Sequence, residues 1–143
     1  ERKVTEALFE LGINMKKKLI AIFVSLFALT SCSNEGSASI TNVDASTFIS
    51  TISDPTIKVI DVRSLGEYSS GHLQGALNID VESGGFDAGI ANLDKTATYA
   101  VYCRSGRRST LAAERMAEAG FTNIINFNRG GFAELAAAGA ATE

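Results

Sequence analysis

Short runs of β-branched and aromatic residues alternate with helix-forming segments along the chain from position 40 onward. The strand-like runs cover 40–43, 57–62, 76–79, 98–102 and 123–127. Helix-like segments follow them at 44–50, 64–70, 86–93 and 109–119, and a short alanine-rich helix comes last. A helix between two strands lets them pair in parallel, because it carries the chain back along one face of the sheet. The alternation therefore predicts an α/β fold with a mainly parallel sheet.

Individual helix signals agree with this prediction. Asp44 precedes the first helix, and aspartate is a favoured N-cap residue. Ala112, Met116 and Ala119 repeat at helical spacing, which predicts a core-facing stripe, and Gly120 is a good residue to end that helix. We expect the charged positions of the same helix to face solvent, namely Glu114, Arg115 and Glu118.

The segment 103–109 joins a predicted strand to a predicted helix and reads Cys103-Arg104-Ser105-Gly106-Arg107-Arg108-Ser109. Ligand crevices of open α/β sheets lie beyond the carboxyl ends of the strands, where this segment falls. A tight loop that contains glycine turns backbone N–H groups inward as an anion nest, and the next helix adds the positive end of its dipole. We expect the nest, the helix and three arginines to favour the thiolate of Cys103 and to hold a bound anion.

A simpler interpretation is a buried, unreactive cysteine with arginines on a solvated helix face. Three arginines and a glycine within seven residues, between a strand and a helix, favour the reactive interpretation. The two cysteines, Cys32 and Cys103, form no CxxC pair, and a single histidine cannot complete a zinc site, so we expect no metal. The count of cysteines alone would still allow a disulfide between them.

The loop resembles the active-site loop of single-domain rhodaneses, whose pattern is Cys-x-x-Gly-x-Arg-Ser. Other blocks of that family follow in the same order: Asp61-Val62-Arg63 with Glu67-Tyr68, Gly71-His72-Leu73, Gly75-Ala76, Asn78-Ile79, Gly120-Phe121 and Gly130-Gly131. The resemblance covers 40–139. It implies a rhodanese-like three-layer fold, in which helices flank a central, mainly parallel, five-stranded sheet.

The resemblance also implies a sulfurtransferase that works in two steps. Cys103 would take the outer sulfur of a donor such as thiosulfate and become a persulfide, and a thiol or cyanide acceptor would then remove that sulfur. The acceptor could also be a protein, and the chemistry needs no metal or organic cofactor. The binding loop would consist of Arg104, Ser105, Gly106, Arg107, Arg108 and Ser109.

Supporting roles are expected for Asp61 and Arg63, at a strand end that should neighbour the end of the Cys103 strand. Asp61 would brace the loop by accepting its N–H groups or by pairing with an arginine, although a helix cap or a surface ion pair would also explain it. Arg63 and Glu67 are spaced for a mutual ion pair across one helical turn.

Other positions are better explained by structure than by chemistry. His72 is expected to organise a turn rather than to act as a base for Cys103. Tyr68 and Phe132 are expected to pack rather than to stack on a substrate. The family often carries tryptophan after its Gly-Gly pair, where this chain has Leu135, so we expect a repacked core with unchanged chemistry.

Two other functions compete with a sulfurtransferase. A phosphatase or arsenate reductase of related fold needs an arginine six positions after its cysteine, but that position is Ser109 here and Arg108 comes one place early. A lipid-tethered sulfur-relay or binding module would keep the cysteine and serve one protein partner. Turnover with thiosulfate and cyanide would separate such a module from an enzyme.

The first part of the chain is typical of a targeting sequence. Three lysines at 16–18 follow Met15 and precede an apolar run of eleven residues, against the ~20 that cross a bilayer. The segment Leu29-Thr30-Ser31-Cys32 then resembles the lipobox of bacterial lipoproteins, which implies cleavage before Cys32 and acylation of its thiol. An uncleaved anchor, or a plain signal followed by a chance cysteine, is the alternative.

We therefore divide the chain into an upstream extension (1–14), a lipoprotein signal peptide (15–31), a tether (32–39) and the rhodanese-like domain (40–141). A lipid on Cys32 would anchor the domain to a membrane of the bacterial cell envelope, facing the periplasm or the outside of the cytoplasmic membrane. From residue 32 onward there are eight basic and thirteen acidic side chains, a formal net charge of −5. Such a domain lacks the basic face that nucleic-acid binding requires.

Overall fold

The computed structural model describes residues 37–143 of the chain. Strands and helices alternate throughout these residues: β1 (Ser39–Val43), α1 (Ala45–Ile52), β2 (Lys58–Asp61), α2 (Leu65–Ser69), β3 (Leu77–Asn78), α3 (Phe86–Ala91), β4 (Thr98–Tyr102), α4 (Arg107–Glu118), β5 (Asn123–Phe127) and α5 (Phe132–Ala137). The predicted extension, the signal peptide, Cys32 and most of the tether lie outside the described residues.

The five strands form one sheet in the order β1-β5-β4-β2-β3, and every neighbouring pair is parallel. The α/β prediction is confirmed. Central strands of parallel sheets are covered on both faces, and β4 fits this rule because four of its five residues are buried. Asp61 at the end of β2 is in register with Tyr102 at the end of β4, so the two strand ends are neighbours, as expected.

Helices cover both faces of the sheet and complete the three layers. On one face α3 and α4 pack against the strands through Phe86, Ile90, Ala112, Ala113 and Met116. On the other face α1 and α5 contribute Phe48 and Leu135. Leu135 is fully buried in this second part of the core. Asp44 caps α1, as predicted, by accepting the Thr47 N–H at 2.8 Å.

Two local expectations are corrected by the structure. α4 begins at Arg107, two residues earlier than predicted, because Gly106 in the left-handed conformation (φ 89°) turns the chain directly into the helix. Arg115 does not simply face solvent: its guanidinium lies 4.6 Å from the Phe86 ring centroid and donates to Asp87 at 2.7 Å. The long side chain of an arginine can cover apolar surface in this way while its charged end stays hydrated.

Residues 142 and 143 also pair with the fold. Glu143 and His72 exchange two backbone hydrogen bonds of 2.9 Å, and Leu73 and Thr142 form an antiparallel bridge. Within residues 37–143, no helix is both long and apolar enough to cross a membrane. The same stretch contains no cluster of three side chains suited to binding a metal ion.

Candidate active site

Cys103 lies immediately after β4, at the carboxyl end of the sheet, and its side chain is fully buried among the residues that α3 and α4 cover. Its Sγ accepts the backbone N–H of Gly106 at 3.1 Å. The following helix, α4, begins one residue later, so the positive end of its dipole lies beside the sulfur. The Gly106 N–H and the amino end of α4 therefore place partial positive charge beside the Cys103 sulfur.

Two glycines allow the backbone to close around Cys103. Gly106 has a φ of 89°, and a Cβ there would overlap the carbonyl oxygen of Asn128. A Cβ on Gly131 would overlap the carbonyl group of Arg104 and lie 2.7 Å from the Cys103 carbonyl oxygen. The segment after β5 therefore packs backbone against backbone on the cysteine loop, and only glycine fits at these two contacts.

Hydrogen bonds from both sides hold the loop in this shape. Ser109 Oγ lies 3.0 Å from the Gly106 carbonyl oxygen and 2.9 Å from that of Phe127, and its single proton is shared between these two acceptors. The Phe132 N–H donates to the Cys103 carbonyl oxygen at 2.9 Å. Ser109 is buried and anchors the loop to β5, whereas Ser105 is exposed on the loop surface. Of the two hydroxyl groups, only that of Ser105 is open to a ligand.

The three loop arginines have different environments. Arg108 makes a two-pronged ion pair with Glu67, at 2.7 and 2.8 Å, and comes within 3.7 Å of Glu82. Arg107 is 72 % exposed and pairs with Glu82 at 2.5 Å. Arg104 is exposed and forms no ion pair with any of residues 37–143. All three arginines were expected to add positive charge to the site; carboxylates from distant parts of the chain pair with Arg107 and Arg108, whereas Arg104 has no such partner among the described residues.

Glu67 stays ionised in this arrangement at any ordinary pH. The hydrogen bonds from Arg108 are the main cause, and they lower the pKa of Glu67 from its usual 4.5 to about 2. Ser64 adds further hydrogen bonds to the same carboxylate in a capping box at the start of α2. The hydrogen bond to Glu67 likewise raises the pKa of Arg108. Glu67 is thus a permanent negative charge beside the loop.

Asp61 and Arg63 form a buried ion pair at the end of β2, with Arg63 Nη2 2.6 Å from Asp61 Oδ2. Tyr102 donates its hydroxyl to the same carboxylate at 2.7 Å and accepts the Leu73 N–H at 3.0 Å. Burial raises the pKa of the Tyr102 hydroxyl, which therefore remains a donor. Asp61 pairs with Arg63 and not with an arginine of the cysteine loop, and it accepts no N–H from residues 104–109, so the expected bracing of the loop by Asp61 is not observed.

The predicted pair between Arg63 and Glu67 is absent from the described residues. Arg63 lies before α2 begins, so the two side chains do not share a helical turn. Arg63 instead donates to Asp61 and to the Gly71 carbonyl oxygen, at 2.7 Å, and its guanidinium lies 4.4 Å from the Phe132 ring centroid. Arg63 therefore links β2 to the turn at Gly71 and to α5.

His72 organises a turn, in agreement with the sequence analysis. Its Nδ1 is 3.0 Å from the Tyr68 carbonyl oxygen, and its ring stacks on Tyr68 with 3.6 Å between centroids. Its Nε2 lies 3.5 Å from Glu143 Oε1. Tyr68 is held in turn by a hydrogen bond from its hydroxyl to the Ala76 carbonyl oxygen. Within the described part of the chain, His72 makes no hydrogen bond to Cys103.

A cavity of about 340 Å³ opens beside the cysteine loop. Its lining residues are Arg63, Glu67, Ser70, Gly71, Arg104, Phe132 and Ala133. Phe132 forms part of its wall as well as packing against Arg63, so the expectation of a pure packing role is incomplete. The cavity contains one cation that no described carboxylate pairs with, Arg104.

Four residues of this region were missed as contributors by sequence reasoning. The role of Tyr102 could have been inferred from its position, because a tyrosine at the end of a buried strand needs a polar partner for its hydroxyl. Gly131 was noted only as part of a family block, with no contact assigned to it. Glu82 and Asn128 carry no local signal, because their contacts with the loop span more than twenty residues of sequence.

Comparison with known proteins agrees with this geometry. The family model described as "Rhodanese-like domain" matches residues 44–138. Thiosulfate sulfurtransferase PspE of Escherichia coli is 39 % identical over 77 residues, which are 54 % of this chain and 72 % of that protein. A Bacillus subtilis protein named "Putative sulfur carrier protein YrkF" is 32 % identical over 95 residues. These residues are 66 % of this chain but only 50 % of the B. subtilis protein, so the chain spans about half the length of that relative.

Solved structures give the same result. The rhodanese-like domain of the Alr3790 protein from Anabaena is 28 % identical to this chain and superposes with a TM-score of 0.64. The superposition covers 71 % of this chain and 77 % of the Anabaena chain.

Proposed function

The chain belongs to the rhodanese-like domain family, and we propose that it transfers a sulfane sulfur from a donor such as thiosulfate to a thiophilic acceptor through a persulfide of Cys103. The observation that carries the proposal is the environment of Cys103. Its sulfur accepts the Gly106 N–H at 3.1 Å beside the amino end of α4, at the carboxyl edge of a parallel sheet. Relatives named as thiosulfate sulfurtransferases support the same chemistry.

The first step loads the enzyme. The Cys103 thiolate attacks the outer sulfur of thiosulfate, a new S–S bond forms, and the bond to the inner sulfur breaks so that sulfite leaves with the electron pair. The product is a Cys103 persulfide that carries the negative charge on its outer sulfur. The Gly106 N–H and the dipole of α4 would stabilise negative charge beside Cys103 as it develops.

The second step removes the sulfur from Cys103. A thiolate or cyanide attacks the outer sulfur, the S–S bond of the persulfide breaks, and Cys103 is released as the thiolate that began the cycle. Because Cys103 is fully buried, a donor or acceptor reaches its sulfur only when the side chains over the loop move aside. Arg104 and Ser105, the two residues that follow Cys103, are both exposed at the surface of the loop.

The test is direct loading of the purified protein with thiosulfate. We expect intact-mass spectrometry to show the addition of one sulfur atom, with one sulfite released, and cyanide to remove the sulfur as thiocyanate. The Cys103→Ser variant should fold, because the change is small, and should carry no sulfur, since a hydroxyl is a far poorer nucleophile. A Cys103→Ser protein that still turns over thiosulfate would refute the mechanism.

Two alternatives have distinct signatures. A sulfur-relay module, which the name of the B. subtilis relative favours, would accept sulfur on Cys103 but pass it only to a protein thiol and not to cyanide. A phosphatase or arsenate reductase would cleave aryl phosphates or reduce arsenate without taking up sulfur. The loop argues against this second alternative, because only three residues separate Cys103 from the start of α4 at Arg107, which leaves little room for a tetrahedral oxyanion.

We also propose that the protein is a lipoprotein of the bacterial cell envelope, anchored through Cys32. The three lysines, the short apolar run and the Leu-Thr-Ser-Cys segment support this location. The Cys32→Ser variant should remain uncleaved and lose its lipid. Unchanged processing and unchanged membrane association of that variant would contradict the proposal.

A further inference from the structure

The two edges of the sheet differ in how much open backbone they offer. The strand order places β1 at one edge and β3 at the other. β3 has only two residues, whereas β1 has five, and the first four residues of β1 are exposed. Among residues 37–143, no strand pairs with the outer side of β1. A long, open edge strand carries unpaired N–H and C=O groups to which another strand can bind.

We propose that β1 binds β1 of a second copy of this chain, in antiparallel orientation, with Thr41 on a two-fold axis. The two sheets would then form one continuous sheet of ten strands, because each copy contributes five. This interaction goes beyond the sulfur transfer proposed above and does not depend on it.

The hydrogen bonds between β1 and β5 identify which backbone groups of β1 face outward. Ser39 is opposite Asn123 in the parallel register, and its N–H donates to the Thr122 carbonyl oxygen at 2.8 Å. In a strand, the N–H and C=O of one residue point to one side, and those of the next residue point to the other side. Ser39 therefore faces β5, as does every second residue after it. The N–H and C=O groups of Ile40 and Asn42 face outward.

The spacing of these outward groups fits a two-fold pairing of β1 with itself. In an antiparallel pair, two residues that exchange both N–H···O bonds alternate with two that exchange none. If Ile40 of each copy lies opposite Asn42 of the other, every outward N–H and C=O of these two residues has a partner. Thr41 then lies opposite Thr41 of the second copy. A shift by one residue would set Ile40 opposite Thr41, whose N–H faces β5, and a shift by two would place one of the hydrogen-bonded residues outside β1.

The side chains of β1 favour a second copy over a charged partner. The strand reads Ser-Ile-Thr-Asn-Val, so it contains no charge, no proline and no glycine. Lysine, proline and bulges are the features by which edge strands usually avoid pairing with another sheet, and β1 has none of the three. Two threonines directly opposite each other interact favourably, and Ile40, which is 37 % exposed, would pack beside Asn42 of the second copy.

The proposed interface lies away from the cysteine loop. β5 stands between β1 and β4, so the strand that leads to Cys103 is two strands, about 10 Å, from the edge of the sheet. Five residues in each strand make a small contact by the standard of stable protein–protein interfaces. We therefore expect a dimer that dissociates on dilution, with the same sulfur uptake at Cys103 in the monomer and the dimer.

Cysteine substitution in the full chain tests the register. Thr41→Cys places two thiols across the axis, where a Cα–Cα distance of about 4.5 Å is within the range of a disulfide. Ser39→Cys is the matched control, because Ser39 is also exposed and lies on the same face, but its symmetry mate would be about 13 Å away along the strand. Under air oxidation, Thr41→Cys should give a disulfide-linked dimer on a non-reducing gel. Ser39→Cys should show no more dimer than the wild type, which keeps Cys32 and Cys103.

Charge substitution at the axis gives an independent test by sedimentation. Thr41→Lys and Thr41→Glu each bring two like charges together, so each variant alone should be monomeric at concentrations where the wild type dimerises. An equimolar mixture of the two variants should dimerise again, because opposite charges then meet across the axis. This recovery also shows that both variants remain folded.

Three results would overturn the assignment. A wild type that stays monomeric up to about 1 mM would mean that β1 does not bind a second copy. Equal crosslinking of Thr41→Cys and Ser39→Cys would exclude the proposed register. A dimer that persists in Thr41→Lys, or a mixture of the two charged variants that stays monomeric, would show that Thr41 does not lie on the axis.

Discussion

The ion pair between Glu67 and Arg108 should make the stability of the domain depend on pH in a defined window. The pKa of Glu67 is about 2 in the folded protein and 4.5 as its ordinary value. A difference of that size corresponds to at most about 3 kcal/mol, at 1.36 kcal/mol per pKa unit. The side chains of Glu67 and Arg108 are 29 % and 12 % exposed, so solvent screening reduces the contribution to about 1–2 kcal/mol.

The direction of the pH dependence follows from the lowered pKa. A carboxyl group with a depressed pKa in the folded state contributes its full stabilisation above the unfolded pKa, here 4.5, and loses it as the pH falls towards about 2. Glu67→Gln removes the ionisable group. We therefore expect the variant to be less stable than the wild type by about 1–2 kcal/mol at pH 7, with the gap closing between pH 4.5 and pH 2.

Urea unfolding at a series of pH values measures this gap as a difference in free energy of unfolding. The matched control is Asp87→Asn, whose carboxylate pairs with Arg115 but is 75 % exposed. A substitution at such a surface position should change stability by no more than about 0.5 kcal/mol. A Glu67→Gln gap that stays constant from pH 7 to pH 2, or that is absent at pH 7, would refute the reasoning.

Two other predictions follow from backbone contacts and buried hydrogen bonds. Gly131→Ala should lower the free energy of unfolding by about 3 kcal/mol, measured by thermal unfolding, and should slow persulfide formation. The reason is that the added Cβ meets backbone atoms of the cysteine loop, which cannot rotate away. The control, Gly84→Ala, places a Cβ with nothing within 4 Å and should change neither quantity. Tyr102→Phe should cost about 1–3 kcal/mol in urea unfolding, because it leaves the buried Leu73 N–H without a partner and removes one hydrogen bond from Asp61, which keeps those from Arg63. Stability equal to the wild type would contradict that role.

The features that sequence could predict are those encoded by neighbouring residues. The strand before Cys103, the turn at Gly106 and the helix after it follow from a β-branched and aromatic run, a glycine and a helical repeat within about twenty positions. The parallel sheet follows from the alternation of strands and helices. The end of β2 could be placed beside the end of β4 because the carboxyl ends of parallel strands meet at one edge of the sheet.

The features that sequence could not predict are contacts between distant segments. Glu67 and Arg108 are 41 residues apart, and Arg107 and Glu82 are 25 apart, so no local spacing indicates either pair. The i to i+4 rule suggested that Arg63 would pair with Glu67, but it applies only within a helix. Ser64 caps α2 after Arg63, which leaves Arg63 on the strand side of the cap and beside Asp61.

Counting charges along a loop therefore overstates the charge that a ligand meets. Arg104, Arg107 and Arg108 fall within five residues, and alone they would suit a dianion. The connections after β2 and β3 bring Glu67 and Glu82 to the same edge of the sheet, where they pair with Arg108 and Arg107. What remains fixed around Cys103 is the backbone: the Gly106 N–H and the start of α4 carry no counter-ion and cannot be neutralised by a neighbouring side chain. On the proposed mechanism, stabilisation of the sulfur therefore depends on the loop backbone more than on the arginines that carboxylates already pair with.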